Sequence, residues 1–303
     1  MTLAAIDVGT NSVKLLVGRV EGTVVTPLLH RSITSRLGEG LHASGAIAPG
    51  AADRTVAALT ELRELAAGRG VERLAAVGTL VLRAASNAPA FLERCRTEAG
   101  LDVRILTGEE EARLSFQGAS WAAAADHVLA IDIGGGSTEI MVGTRTGLTA
   151  SWSLPVGAVT MTEEFLRTDP PAADEMLALS AGIRRQLIPV VARAGREGEL
   201  VGVGGTVSSI LALLRKELGE DPREVHRKTV PFDTISALAI HLSLKTVAER
   251  ERMGLERGRA DIIVAGAWIL VAAMSHLEAS ALRASAHGLR HGLLIELASG
   301  RWP

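Results

Sequence analysis

Apolar residues in this chain fall into two rhythms, short β-branched runs and stretches with helical spacing, and the rhythms alternate in the same order twice. Leu3 to Val8, Val13 to Val20 and Thr23 to Leu28 read as three strands of an antiparallel meander, joined by a tight turn and by Glu21-Gly22. Arg36-Leu37-Gly38-Glu39-Gly40-Leu41 is too rich in glycine for an element. A helix is predicted from Pro49 to Ala67. Proline suits a first turn, Val56, Leu59, Leu62 and Leu65 share one face, and Gly68 and Gly70 end it. Leu74 to Val77 is a buried strand leading to Gly78-Thr79-Leu80-Val81-Leu82-Arg83, Pro89 to Ala99 a helix closed by Gly100, and Val103 to Leu106 another strand. Thr107 then caps a helix whose first turn holds Glu110 and Glu111, where the helix dipole favours acids.

The second half repeats the pattern. Strands are predicted near 128–133, 139–144 and 148–153, and helices at 158–167 and 172–193, with Pro189 a candidate kink. Leu200 to Val203 runs into Gly204-Gly205-Thr206-Val207-Ser208-Ser209 and a helix to about Leu218. Residues 219–231, with Pro222, Pro231 and the basic His226-Arg227-Lys228, read as a loop. Helices follow at 233–249 and 261–276, then a strand at 281–285, and His287-Gly288-Leu289-Arg290-His291-Gly292 opens a last helix. Ile6-Asp7-Val8-Gly9-Thr10-Asn11-Ser12 superposes on Ile131 to Ser137, 125 positions later. Leu15 to Gly18 falls on Ile140 to Gly143 with the same offset, and Gly22 on Gly147. A hairpin repeated in this way means two related halves. The chain is therefore predicted to be an α/β protein of two duplicated domains, 1–124 and 125–303, the last helix at about 292–303 packing back on the first. A length of 303 residues, 47% of them hydrophobic, is enough for two cores.

The chemistry gathers at the turns. The strand ending at Ile133 carries Asp132 and is followed by Gly134, Gly135 and Gly136, which are free to take positive φ and to bring successive backbone N–H groups to an anion beside the hydroxyls of Ser137 and Thr138. Gly9, Thr10, Asn11 and Ser12 form the matching turn, which has fewer glycines and leans on the hydroxyls of Thr10 and Ser12. Gly204, Gly205 and Thr206 at a helix start make a third phosphate contact. A carboxylate repels phosphate in direct contact, so Asp132 is expected to meet it through Mg²⁺ or a water. The plain alternative is a glycine-rich hairpin capped by Asp132. Two facing phosphate turns imply a cleft for a phosphorylated ligand.

Charge narrows the classes further. A formal net charge of −2 argues against a general nucleic-acid binder. The single Cys95 excludes internal disulfides and a Cys-rich metal site, and reads as a small core residue. The longest apolar run, Ile262 to Met274, has 13 residues, short of the roughly 20 that span a bilayer. The start carries no basic segment of a signal peptide, so the expectation is a cytoplasmic protein with no membrane partner.

Asp7-Val-Gly-Thr-Asn-Ser, Arg36-Leu-Gly-Glu-Gly-Leu, Gly108-Glu-Glu-Glu-Ala-Arg113, Asp132-Ile-Gly-Gly-Gly-Ser-Thr-Glu139 and Gly204-Gly-Thr206 together resemble the exopolyphosphatase/guanosine pentaphosphate phosphohydrolase (Ppx/GppA) family, in order and spacing, over essentially the whole chain. The resemblance implies the fold of the actin, sugar kinase and Hsp70 superfamily. It also implies the short form, without the HD-type region into which many members continue beyond the position of Pro303. The implied activity is Mg²⁺-dependent hydrolysis of a terminal phosphoanhydride, releasing orthophosphate from inorganic polyphosphate or converting guanosine pentaphosphate to tetraphosphate. By resemblance Glu111, directly before Ala-Arg, is the general base on water, whereas Glu109 and Glu110 compensate the helix dipole. Asp132 and Glu139 are metal ligands, Asp7 duplicates Asp132, and Arg83 faces the phosphates. Arg36, Arg259 and Arg290 also lie in family-like segments, although a surface arginine is usually only solvated. Lys14 occupies the place of Glu139 in the first repeat. His287 and His291, four apart, lack a third ligand and read as rim residues. A homodimer through the apolar helix 262–274 is a further implication, and burial of that helix in the core is its alternative. Two other functions stay open: a non-catalytic guanosine tetraphosphate or polyphosphate sensor, and an ATP-dependent phosphotransferase of the same superfamily.

Overall fold

The structure is a computed structural model that describes residues 1–221 and 223–302; Pro222 and Pro303, named above in a loop and at the chain end, lie outside them. The first part of the chain forms β1 (Thr2–Val8), β2 (Ser12–Glu21), β3 (Val24–Thr34), α1 (Leu41–Ser44), α2 (Pro49–Ala67), β4 (Arg73–Gly78), α3 (Leu80–Ala84), α4 (Ala88–Glu98), β5 (Val103–Ile105) and α5 (Gly108–Ala119). The next part forms β6 (His127–Ile133), β7 (Thr138–Thr144), β8 (Gly147–Leu154), α6 (Ala158–Phe165), α7 (Ala173–Ala194), β9 (Glu199–Val203) and α8 (Gly204–Glu217). It continues through β10 (Thr229–Pro231), α9 (Phe232–Ser243), α10 (Val247–Met253), α11 (Arg257–Ala260), α12 (Ile263–Leu277) and β11 (Ala281–Ala284), and α13 (Leu289–Ala298) closes the chain. By contacts the chain divides into one unit of Met1–Gly118 with the segment from Leu289 onward, and a second of Ala119–Gly288.

The first sheet has the order β3-β2-β1-β4-β5, the second β8-β7-β6-β9-β11 with β10 added at the edge. In both, three antiparallel strands lead to two that run parallel to the first. Even the irregularities repeat: the register shifts between Val17 and Gly18 and again between Val142 and Gly143. A duplicated topology that keeps its bulges at the same offset is one motif used twice.

The unbroken apolar run of β1 follows from helices on both of its faces. Ala4, Ile6 and Val8 pack with Val56, Leu59 and Leu62 of α2, while Leu3 and Ala5 pack with Leu289, Leu293, Leu294 and Leu297 of α13. The α13 contact is close enough to require glycine. A Cβ at Gly292 would lie 2.2 Å from the carbonyl oxygen of Leu114. Gly292→Ala is therefore expected to destabilise the chain by about 1–3 kcal/mol, the usual cost of overpacking against a backbone that cannot yield. Urea unfolding monitored by circular dichroism measures it, and an unchanged midpoint would contradict the packing.

In the second unit, α12 is buried along most of its length among residues of α7, α8 and α9. Its apolarity is thus accounted for by the core, and it gives no support to a dimer.

Several expectations change. The helix read as 233–249 is two, because Thr246 starts α10 with a capping box: its backbone N–H donates to Glu249 Oε2 at 2.8 Å and its hydroxyl accepts from the Glu249 N–H at 3.3 Å. The helix read as 261–276 is likewise preceded by the separate turn α11. β3 runs on to Thr34 because it pairs with β2 as far as Ser12. Within the presumed loop 219–231, Thr229–Pro231 forms the edge strand β10 on β11. Short helices occupy Leu41–Ser44 and Leu80–Ala84, where none was expected. The pattern of helix α7 continues through Pro189. His287 precedes α13 instead of sharing its face with His291: His287 stacks on His226 with ring centroids 4.1 Å apart, and His291 sits 6.1 Å from His30.

Candidate functional site

The two turns are built alike within their units. The Gly9 N–H donates to the Ser12 carbonyl at 3.1 Å, and the Gly134 N–H to the Ser137 carbonyl at 2.9 Å. The chain following the third strand then takes up the carbonyls. Gly38 N–H bonds Thr10 O, and Ser35 and Arg36 N–H bond Asn11 O. In the second unit Ala158 N–H bonds Gly134 O, while Val159 and Thr160 N–H bond Gly135 O. In both turns the carbonyls are thus engaged by the chain that follows the third strand, an arrangement compatible with an anion cradle.

The reason for glycine differs from the one expected. Gly134, Gly135 and Gly136 are not among the residues with positive φ, and neither is Gly9. What glycine provides is close approach. A Cβ on Gly157, at the start of α6, would lie 2.3 Å from Gly135 O and 2.5 Å from Gly136 C; one on Gly38 would lie 2.3 Å from Thr10 Cγ2. Gly157 was missed in the sequence and Gly38 was read only as part of a family-like motif without this role; both follow the third strand of their repeat.

The hydroxyl side chains of the turns are all buried and differ in what they face. Ser137, Thr10 and Ser12 sit at the turns. Thr138 is 0% exposed and its hydroxyl donates to Val156 O at 2.5 Å. The hydroxyl of Thr206 is also interior, facing Gly266 of α12. Of the hydroxyls expected on phosphate, those of Thr138 and Thr206 are therefore turned into the protein, and the Gly134 N–H is engaged within its own turn.

In the first unit α5 begins with a second capping box, in which Thr107 N–H donates to Glu110 Oε2 at 2.9 Å and Glu110 N–H to Thr107 Oγ1 at 3.1 Å. Glu110 also pairs with Arg104 and so is structural. Its neighbour Glu111 is 7% exposed and accepts from Arg83 Nη1 at 2.8 Å, the same nitrogen that donates to Leu106 O at 2.7 Å. The residue expected to touch phosphate thus holds the residue expected to act as base. Arg290 is tied within the same unit, its Nη1 donating to Leu15 O at 3.0 Å. Near it, burial and the charges of Arg290 and Lys14 lower the pKa of His30 to about 4.

In the second unit Asp132 and Glu139 are direct partners in the β6–β7 ladder, so both carboxylates point to one face. Ser153 donates to Glu139 Oε1 at 2.8 Å. The first unit sets Asp7 opposite Lys14 at the equivalent register, an acid and a base where the second has two acids. Oδ1 of Asp7 is buried without a hydrogen bond. Gly204, with φ of +91°, lets the start of α8 pass Asp132: a Cβ there would meet Asp132 Oδ1 at 2.5 Å. Gly205 is roofed by the guanidinium of Arg259, whose Nη2 lies 2.6 Å from the position of a Cβ. Among the described residues no hydrogen bond or ion pair holds that guanidinium, and burial lowers its pKa from the ordinary arginine value. A half-buried cation beside a helix N-terminus and a glycine backbone favours an anion.

The profile of the Ppx/GppA phosphatase family matches residues 16–300. The chain belongs to this family. It is 32% identical to exopolyphosphatase 2 of Mycobacterium tuberculosis over 98% of each chain. It is also 32% identical to the guanosine-5'-triphosphate,3'-diphosphate pyrophosphatase of Vibrio vulnificus, covering 98% of this chain and 59% of that one. Among solved structures, a Ppx/GppA family member from Aquifex aeolicus superposes with a TM-score of 0.81 at 30% identity, covering 100% of this chain and 99% of that one. An exopolyphosphatase from Cytophaga hutchinsonii, at 24% identity, shares the fold with a TM-score of 0.91 over 99% and 98% of the two chains. This Ppx/GppA chain is accordingly a phosphoanhydride hydrolase. No helix among its described residues is long and apolar enough to cross a membrane.

Proposed function

We propose that this Ppx/GppA protein is a Mg²⁺-dependent exopolyphosphatase, releasing orthophosphate from the end of inorganic polyphosphate, with guanosine pentaphosphate as a second substrate. The observation that carries this reading is the Arg83–Glu111 pair, because hydrolysis needs a held proton acceptor whereas simple retention of a polyanion is hindered by a buried carboxylate. Polyphosphate is placed first because the mycobacterial exopolyphosphatase matches along 98% of its length and the Vibrio pyrophosphatase along 59%.

Phosphoryl transfer to water has a loose transition state, so positioning and charge neutralisation carry most of the catalysis. Glu111 takes the proton of the attacking water, and Arg83 fixes its carboxylate through Nη1. The turn N–H groups and Arg259 hold the phosphate oxygens. For Mg²⁺ the donor set fits: Asp132 and Glu139 offer hard oxygens on one face, and this ion needs only one or two carboxylates, with waters and phosphates completing its shell. When bound, Mg²⁺ neutralises the charge of the phosphates. Ser153 orients Glu139 for that role.

Asp132→Asn is expected to raise the Mg²⁺ concentration needed for half-maximal rate about tenfold or more, the scale of removing one charged ligand interaction. An unchanged Mg²⁺ titration would remove Asp132 from the metal site. The overall reading is tested by measuring phosphate release from polyphosphate, guanosine pentaphosphate and ATP side by side. Release from none of them, with retained binding, would indicate a sensor. Release dependent on a sugar or acetate acceptor would indicate a phosphotransferase.

A further inference from the structure

Arg250 is 2% exposed, in a layer of helices that contributes no turn of its own to the site. Its guanidinium is used in three directions. Nε donates to Leu242 O at 3.0 Å, Nη2 to Lys245 O at 2.7 Å and Nη1 to Ala260 O at 2.7 Å. These carbonyls belong to the last turn of α9, the link between α9 and α10, and the end of α11. Asp169 Oδ1 lies 3.6 Å from Nη2, and the same carboxylate receives the Val247 N–H at 2.9 Å, which ties the start of α10 to a counter-charge of the guanidinium; the charges of Asp261 and Glu249 also act on it.

Placing a cation in the interior is costly unless its donors are satisfied, so a rigid planar fork here has to be matched by backbone held at three points. The point that matters is Ala260, because its neighbour is Arg259. Helix α11 is a single turn of four residues, in which the N–H groups of Arg259 and Ala260 both donate to Glu256 O, so Arg259 and Ala260 move as one piece. One isolated turn has no intrinsic stability and takes its position from outside contacts. The Arg259 guanidinium rests on Gly205 with no side-chain hydrogen bond among the described residues to hold it there, only the charges of Glu256 and Asp261 nearby.

We propose that Arg250 is a positioning residue for phosphate recognition: by holding the carbonyl of Ala260 it fixes α11 and keeps the Arg259 guanidinium over Gly205, so that affinity for the polyphosphate end depends on a buried side chain that touches no substrate. The proposal rests on Arg259 contacting phosphate. Lysine cannot replace Arg250, since one ammonium on a flexible stem does not reach three divergent carbonyls at once.

The test uses the full chain and calorimetric titration with tripolyphosphate. Arg259→Ala is expected to weaken binding roughly tenfold to a hundredfold, the range for a hydrogen-bonded charge. Arg250→Lys is expected to weaken it by a similar factor and to raise KM with little change in kcat. The double variant is expected to be no worse than Arg259→Ala alone, because both act through one guanidinium. Val191→Ala, a buried α7 residue remote from these bonds, serves as the control for general softening: it is expected to lower Tm and leave affinity unchanged. If Arg259→Ala binds as the parent does, the phosphate role of Arg259 fails and the inference with it. If Arg259→Ala is weakened but Arg250→Lys loses only Tm, or the two losses multiply, the inference alone is overturned. Should Arg250→Lys not fold, Asp169→Asn decides. Its carboxylate is 45% exposed, and loss of the anchor is expected to weaken binding about threefold; parental affinity would overturn the proposal.

Discussion

Glu111→Gln is expected to lower kcat for polyphosphate hydrolysis by about 10²- to 10⁴-fold, the usual contribution of a positioned general base, while tripolyphosphate still binds. The amide keeps the size of the carboxylate and can still accept from Arg83 Nη1, so the start of α5 and its capping box are preserved. What is lost is the proton acceptor. The ion pair also becomes a neutral contact, which leaves Arg83 more available to an anion, so affinity is expected to hold or rise. Single-turnover phosphate release together with calorimetric binding separates the two effects. Activity within a few-fold of the parent would remove Glu111 from the reaction, and a parallel loss of binding would make it a structural residue.

Gly157→Ala is expected to be nearly as damaging, for a different reason. The new Cβ would lie 2.3 Å from Gly135 O and 2.5 Å from the carbonyl carbons of Gly135 and Gly136, and main chain cannot rotate away as a side chain does. Either the Gly134–Ser137 turn or the start of α6 has to move, and the bonds from Ala158, Val159 and Thr160 to the turn carbonyls go with it. A misplacement of about 1 Å in a positioning element can cost roughly a hundredfold in rate. Loss of tripolyphosphate binding is therefore expected, with the second core intact. Gly38→Ala, whose Cβ would meet only the methyl of Thr10, is expected to be milder. Comparing the two variants by titration and by thermal unfolding checks both statements, and equal tolerance of alanine at 157 would show that the clamp is loose.

The duplication was legible because it is written in residue types that chemistry restricts: an acid at a strand end, glycine next, hydroxyls after. The strands could be read from β-branched runs, and the offset of 125 between Asp7 and Asp132 fixed their correspondence before any register was known. The break between α9 and α10 was missed although Thr246-Val-Ala-Glu249 carries a capping signature, because the apolar spacing runs smoothly across it. Which hydroxyls face a ligand was not legible. Thr138 and Ser137 are neighbours in sequence, yet strand alternation sends one inward to Val156. Nor could sequence pair Arg83 with Glu111, which lie 28 positions apart and meet only in the folded unit. The positive φ expected at the turn glycines is absent at Gly9 and Gly134, and the close approach that demands glycine lies instead at Gly38 and Gly157, which pack against the turns.

The return of α13 to the first sheet has a consequence for how the chain is made. Leu3, Ala5 and Leu16 are sealed by Leu289, Leu293, Leu294, Leu297 and Trp302, so one wall of the first unit is encoded on the far side of the whole second unit. A nascent chain emerging from the ribosome completes the residues of the second unit, 119–288, before it can close the first. During synthesis the earlier-made sheet stays open on one side, with apolar strand faces in need of cover, and the segment from Leu289 onward, made after the whole second unit, completes the half of the protein that carries Glu111.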